Sequence, residues 1–209
     1  MRVVVHEFIS LDGVVQGPGK PGGLGEDTIG GFRHGGWSVP YNDSEVWAAI
    51  NQFAERSGAV LLGRSTYRSG AAVWPDRPGP FADWINRAQK YVVSGTLSGS
   101  DDTPWKPTTI IRGADLLKEV ARLRDEPGGD IYVYGSLSVV RSLLAAGFVD
   151  ELVLMIQPIT LGGGKTLFPT DGEARAFKLI SATTTGTGVQ VCRYQPTART
   201  QGSSGLTRA

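Results

Sequence analysis

The chain holds one cysteine, Cys192, two histidines and two methionines in 209 residues. A single thiol cannot close an internal disulfide, and His6, His34 and Cys192 together cannot supply the ligand set of a structural zinc site, so no metal is expected. Long apolar runs are missing as well. Even the opening Val3-Val4-Val5 is broken by His6-Glu7, and nothing approaches the roughly 18 residues of a membrane span. Neither charge sign prevails: 21 Lys and Arg against 20 Asp and Glu leave +1, without the like-charge runs that mark a nucleic-acid or membrane-surface partner. These absences point to a cytoplasmic protein whose partner is a small molecule.

What is present is 40% hydrophobic and 20% charged residues, enough apolar side chain for one sizeable core. The expectation is a single domain over residues 1–196 and a polar, flexible tail over 197–209. The 29 glycines and 12 prolines cluster between periodic segments instead of recurring at a fixed spacing. Residues 2–9 read as a first strand buried on both faces. The glycines and prolines from Ser10 to Asn42 forbid regular structure, and so long a loop in a compact domain suggests a cover over substrate. Asn42 and Glu45 resemble a capping box for a helix over 43–56. Strands over 59–62, 91–93, 108–111, 131–134 and 152–156 alternate with amphipathic helical segments, and 176–185 with 188–195 read as a closing antiparallel pair around Gly186. That order predicts an α/β fold of three α/β/α layers, its sheet mixed but mostly parallel.

In such sheets ligands bind outside the carboxyl ends of the strands. Three segments follow strands directly: Gly63-Arg64-Ser65-Thr66, Ser94-Gly95-Thr96 and Gly135-Ser136. Each offers glycine, hydroxyl or guanidinium donors, and two of them open helices, as phosphate binding requires. Gly135-Ser136 would hold a pyrophosphate, while Arg64 with Ser94 and Thr96 would clasp a second phosphate, as in a dinucleotide carrying a 2′-phosphate. Taken singly, Ser136 is equally a helix cap and Arg64 a surface arginine. Two other motifs lead nowhere. Gly17-Pro18-Gly19-Lys20-Pro21-Gly22 satisfies G-x-G-x-x-G, but its prolines remove N–H donors. Gly164-Lys165-Thr166 ends like a Walker loop, yet Ile159 stands where the first glycine belongs. No nucleophile elbow supports a hydrolase. Chemistry carried by a cofactor remains, and hydride transfer fits it. Tyr134 would then face the nicotinamide half, and Asp43 or Glu45 would manage a proton, although acids at a helix start also serve the dipole and the cap.

Several segments, in order, resemble the dihydrofolate reductase-like superfamily, in the branch typified by the C-terminal reductase domain of the bacterial riboflavin-biosynthesis deaminase/reductase. They are Ile9-Ser10-Leu11-Asp12-Gly13, Leu62-Gly63-Arg64-Ser65-Thr66-Tyr67, Val93-Ser94-Gly95-Thr96-Leu97, Tyr134-Gly135-Ser136, the stretch 144–152, and 158–168. The last, PITLGGGKTLF, is the most specific. The resemblance implies a stand-alone, homodimeric NADPH-dependent reductase delivering hydride to a C=N or C=O bond of a pterin-like or ribosylaminopyrimidine-like molecule. A non-catalytic NADP(H)-binding module of the same fold is the alternative. By position it implies that Gly63, Arg64, Ser65 and Thr66 bind cofactor phosphates, Ser94 and Thr96 lie on the 2′-phosphate side, and Gly135, Ser136 and Leu137 hold the pyrophosphate, with Gly95 and Tyr134 also counted among the cofactor-binding residues. Asp12 and an aromatic wall of Trp37, Tyr41, Trp47 and Tyr67 are the candidate substrate contacts. The sequence departs from the pattern at Gly95, where a basic residue is common, and near Trp47, where folate reductases carry an acid. Folate is therefore not the expected substrate.

Overall fold

The computed structural model describes residues 1–19, 27–99 and 102–197. Its centre is β1 (Val3–Ser10), whose β-branched and aromatic residues suit a strand flanked on both edges and covered on both faces. Parallel strands lie on either side of it, β5 (Asp130–Tyr134) and β6 (Glu151–Gln157). Beyond β5 come β2 (Ser57–Gly63), β3 (Gln89–Val93) and β4 (Thr108–Ile111), also parallel. Beyond β6 the antiparallel β8 (Gln190–Pro196) and edge strand β7 (Phe177–Thr184) complete the order β4-β3-β2-β5-β1-β6-β8-β7. The mostly parallel sheet with an antiparallel C-terminal hairpin is as expected.

Strand alternation divides the apolar residues between two cores. On one face α1 (Ser44–Glu55), α2 (Arg64–Val73) and α3 (Pro80–Arg87) pack against Val4, Val60, Leu62 and Tyr132. On the other, α4 (Leu116–Asp125) and α5 (Leu137–Ala146) cover Val3, Val5, Leu61 and Val133. The layers are thus α/β/α. Among the described residues no helix is long and apolar enough to cross a membrane.

Two local expectations change. The cap of α1 is Asp43, not Asn42: its carboxylate accepts from the N–H groups of Glu45 and Val46 at 3.0 and 2.9 Å. The helix α3 is not among the elements read from the sequence, because the prolines at 75, 78 and 80 punctuate the region like a loop. Pro80 occupies the first turn, where its missing N–H costs nothing, and Phe81, Trp84 and Ile85 turn inward. The expected tail lies outside the described residues from position 198 on, as do Lys20-Pro21-Gly22 of the discarded glycine motif.

Polar groups inside this frame are costly unless satisfied. Lys90 is fully buried, and its ammonium donates to the carbonyls of Asn86, Ala88 and Lys106 at 3.1, 2.9 and 3.4 Å. His6 on β1 is different. Its ring stacks on Tyr132 at 4.0 Å and packs on Phe53 at 4.8 Å, and neither ring nitrogen has a partner. Burial pushes its pKa down to about 3. An unfolded chain binds this proton below about pH 6.5, while the folded one refuses it until far lower, so stability is lost as the pH falls through that window. At pH 5 the expected loss from His6 is about 2 kcal/mol. His6→Phe keeps the stacked ring and should remove that loss, and urea melts of both proteins at pH 7.5 and pH 5 measure the difference.

Candidate functional site

The carboxyl ends of β2 and β5 are neighbours in the sheet, and the turns that leave them are hydrogen-bonded to each other. The N–H of Gly63, last residue of β2, donates to Ser136 Oγ at 2.7 Å. The N–H of Ser136, after β5, donates back to Thr66 Oγ1 in the first turn of α2 at 3.0 Å. Ser136 therefore spends its hydroxyl on the neighbouring crossover and does not cap its own helix. Neither α2 nor α5 has a side chain capping its start. Two helices of ten residues each thus present starts that no side chain caps, with the positive ends of their dipoles, at adjacent points on one rim.

This turn needs an unusual backbone. Gly135 has φ 56° and Ser136 φ 49°, two successive left-handed residues. A Cβ on Gly135 would meet Thr66 Oγ1 at 3.1 Å and Cγ2 at 3.2 Å. Glycine is required there both by conformation and by the close approach of α2.

The third segment joins through Arg64. Its exposed guanidinium donates to Thr96 Oγ1, bridging the ends of β2 and β3. Ser94 is buried and accepts from the N–H groups of Thr96 and Leu97 at 3.1 and 3.0 Å, so its hydroxyl shapes the turn. Gly95 is open, with nothing within 4 Å of a built Cβ. A second guanidinium, not singled out in the sequence, belongs to Arg112 just past β4, which donates to Leu97 O at 3.0 Å. Residues 63–66, 94–96 and 135–137 therefore converge on one edge of the sheet. Their donors fit the phosphates of a dinucleotide: helix N-termini, hydroxyls and two arginines without a carboxylate partner among the described residues.

Other expected site residues are employed elsewhere. Asp43 caps α1 with one oxygen, and with the other it accepts from the hydroxyl and N–H of Thr187 at 2.9 and 3.2 Å. Backbone donation from Val46, more than any other contact, holds its pKa below the usual range, the reverse of what a proton donor needs. Glu45 Oε2 accepts from Gly186 N–H at 2.6 Å. Both acids clamp the β7–β8 turn onto α1. Asp12 accepts from the N–H groups of Leu161 and Gly162 at 3.0 and 2.7 Å, pinning the end of β1 to the glycine-rich loop. The aromatic wall divides. Tyr67 is fully buried, its hydroxyl on the backbone of Trp105, because α2 turns that position into the core. Trp37 is buried with Val14 and Leu161 in a separate small cluster. Trp47 and Tyr41 remain half-buried, together with Phe8 and Tyr134, against the α1-side core.

Two buried polar residues near the rim escaped notice in the sequence. Gln157 ends β6 fully buried, with neither amide atom partnered. Glu7 lies on β1, buried, with Oε1 unpartnered. Burial drives its pKa well up, against the Gly135 N–H that favours the charged form. A carboxylate inside an otherwise apolar strand is the sequence signal that marks it. An open recess of about 490 Å³, lined by Ala71, Asn86 and Trp105, sits at the amino ends of β3 and β4, away from these groups.

Residues 1–191 match the RibD C-terminal domain. The chain belongs to that family. A family relative in Bacillus subtilis, the uncharacterised protein YyaP, is 27% identical over 193 residues, spanning 90% of this chain and 91% of its own. Among solved structures, one from Shewanella sp. PV-4, provisionally assigned to riboflavin biosynthesis, superposes with a TM-score of 0.67 at 21% identity. It spans 95% of this chain and 100% of that one. Dihydrofolate reductase of Enterococcus faecalis, complexed with NADP(H), gives a TM-score of 0.60 at 13% identity over 94% of this chain and 97% of its own. The fold of this RibD C-terminal domain is therefore dihydrofolate reductase-like.

Gly135→Ala should destabilise the protein by about 1–3 kcal/mol through left-handed strain and contact with Thr66. Gly95→Ala, into open space, should change little, and thermal melts of the two variants make the comparison.

Proposed function

We propose that this protein is an NADPH-dependent reductase acting on a small heterocyclic substrate of pterin-like or ribosylaminopyrimidine-like kind. The carrying observation is the rim itself, where two uncapped helix N-termini are tied by the Gly63, Ser136 and Thr66 hydrogen bonds and flanked by Arg64. Membership in the RibD C-terminal domain family supports reductase chemistry on a heterocycle. Likeness in fold to a pyrimidine reductase-like protein and to a dihydrofolate reductase bound to NADP(H) agrees with it.

In this reading Gly135, Ser136 and Leu137 receive the pyrophosphate at the start of α5, and Gly63 to Thr66 receive it from α2. Arg64, with Thr96 beside it and Arg112 beyond, lies where a 2′-phosphate would be read. The nicotinamide, when bound, supplies the hydride. The half-buried Phe8, Tyr41, Trp47 and Tyr134 offer ring faces against which a flat heterocycle could be held and water excluded. The protein's contribution is position and electrostatics.

Titration of cofactor fluorescence tests the reading. Saturable NADPH binding is expected, and none up to about millimolar concentration, near 4 kcal/mol of affinity, would overturn it. Arg64→Ala should weaken NADPH by about 1.5–3 kcal/mol more than NADH, the loss expected for a charged hydrogen bond to phosphate. Equal weakening of both cofactors would assign the arginine to the fold.

A further inference from the structure

Glu7 is a carboxyl whose position makes no sense for folding alone. It sits in the central strand, on the side of β1 that its neighbours Val5 and Ile9 turn toward α4 and α5. Only 7% of its surface is exposed. A buried carboxyl normally recovers its cost from a cation or several donors. Glu7 has no ion pair among the described residues, and Oε1 has no hydrogen-bond partner. The parallel register that sets His6 beside Tyr134 brings the next residues, Glu7 and Gly135, side by side where β5 ends. Gly135 is also the first residue of the left-handed turn that opens α5, so the carboxyl lies against the phosphate cradle.

An ionised carboxylate there would repel any anion held by α5. A neutral carboxylic acid has the opposite effect, since it presents an O–H that needs an acceptor, and Oε1 finds no partner among the described residues. We propose that Glu7 is a cofactor-positioning residue that works as a neutral acid, donating its hydrogen bond to an oxygen of the dinucleotide held over Gly135, Ser136 and Leu137. The unpaired Oε1 is then a group awaiting its ligand. The inference rests on the cofactor reading above and adds a residue and a protonation state to it.

Infrared difference spectra of wild type against Glu7→Gln isolate this carboxyl. At neutral pH a protonated C=O band is expected, and saturation with NADPH should shift it to lower frequency as the O–H gains an acceptor. Glu7→Gln keeps the shape and a donor, and should hold NADPH within about threefold of wild type. Glu7→Leu removes the donor and should weaken NADPH at least tenfold. An ionised carboxylate at neutral pH, or a protonated band that NADPH at saturation leaves unmoved, overturns the proposal. So does a Glu7→Leu variant that is folded by circular dichroism and binds like wild type. The isosteric Gln variant and the wild-type band carry the test if the Leu variant does not fold. Fluorescence keeps the two readings apart. A wild type that fails to bind NADPH removes the cofactor assignment and Glu7's role with it, whereas saturable binding with an unmoved band removes the role of Glu7 alone.

Discussion

The exchange of hydrogen bonds between the turn after β2 and the turn after β5 is the constraint on which the rest of this rim depends. Gly63 gives its N–H to Ser136, and Ser136 gives its own to Thr66. Each bond is worth only about 1 kcal/mol. Their effect is geometric. They fix the starts of α2 and α5 relative to each other, and they use the one hydroxyl that would otherwise satisfy α5. A serine that capped its own helix would have covered its start; a serine that reaches across to Gly63 leaves α5 without a side-chain cap. The left-handed pair at 135 and 136 accompanies that reach of Ser136 Oγ to the neighbouring strand.

β1 concentrates the unmatched polarity of the molecule. His6 and Glu7 are consecutive and so face opposite layers. Both are buried and both keep at least one side-chain heteroatom without a partner. Desolvation favours the neutral form of each, by lowering the histidine and raising the acid. The outcome differs with the surroundings. His6 is enclosed by Phe53 and Tyr132, where a neutral ring is simply packed. Glu7 lies beside Gly135 in the turn that opens α5, where a neutral acid would have an O–H to donate. Local chemistry is thus set less by residue type than by which end of the strand, and which face, the residue occupies.

Much of the frame was legible because the residues that build it act locally. Runs of Val, Ile and Leu that stop at glycine gave β2, β5 and the junctions behind them, and those junctions do meet on one edge of the sheet. The misreadings have a common cause, in that the deciding partner is distant in sequence. Asn42 and Asp43 are both good caps, and the choice between them, along with the fate of the Asp43 carboxylate, is made by the β7–β8 turn 144 residues on. Tyr67 sits in a motif segment, but the facing of α2 sends it inward to Trp105. The helix α3 hides behind three prolines. Glu7 was visible only as the break in an apolar run; its neighbour Gly135 opens a turn more than a hundred residues later, just after β5.

The net charge of +1 argues against an anionic partner only if charge is averaged over the surface, and it is not. Several acids elsewhere are matched by nearby bases or backbone donors. Glu151, almost fully buried, is paired by Arg2 and Arg193 at 2.7 and 2.6 Å. Asp150 holds Arg124, Asp171 holds Arg175, and Asp27 holds Lys165. Asp43 and Glu45 are given to N–H groups of α1 and the hairpin turn. At the rim, Arg64 and Arg112 meet only neutral oxygens, a threonine hydroxyl and a leucine carbonyl. Internal pairing cancels part of the charge elsewhere, while at the rim two guanidiniums and two helix N-termini lie together with no carboxylate partner among the described residues. The field there is positive at short range and screened beyond about 8–10 Å at physiological ionic strength. Such a field suits a compact polyanion seated on the rim better than a long one lying across the surface.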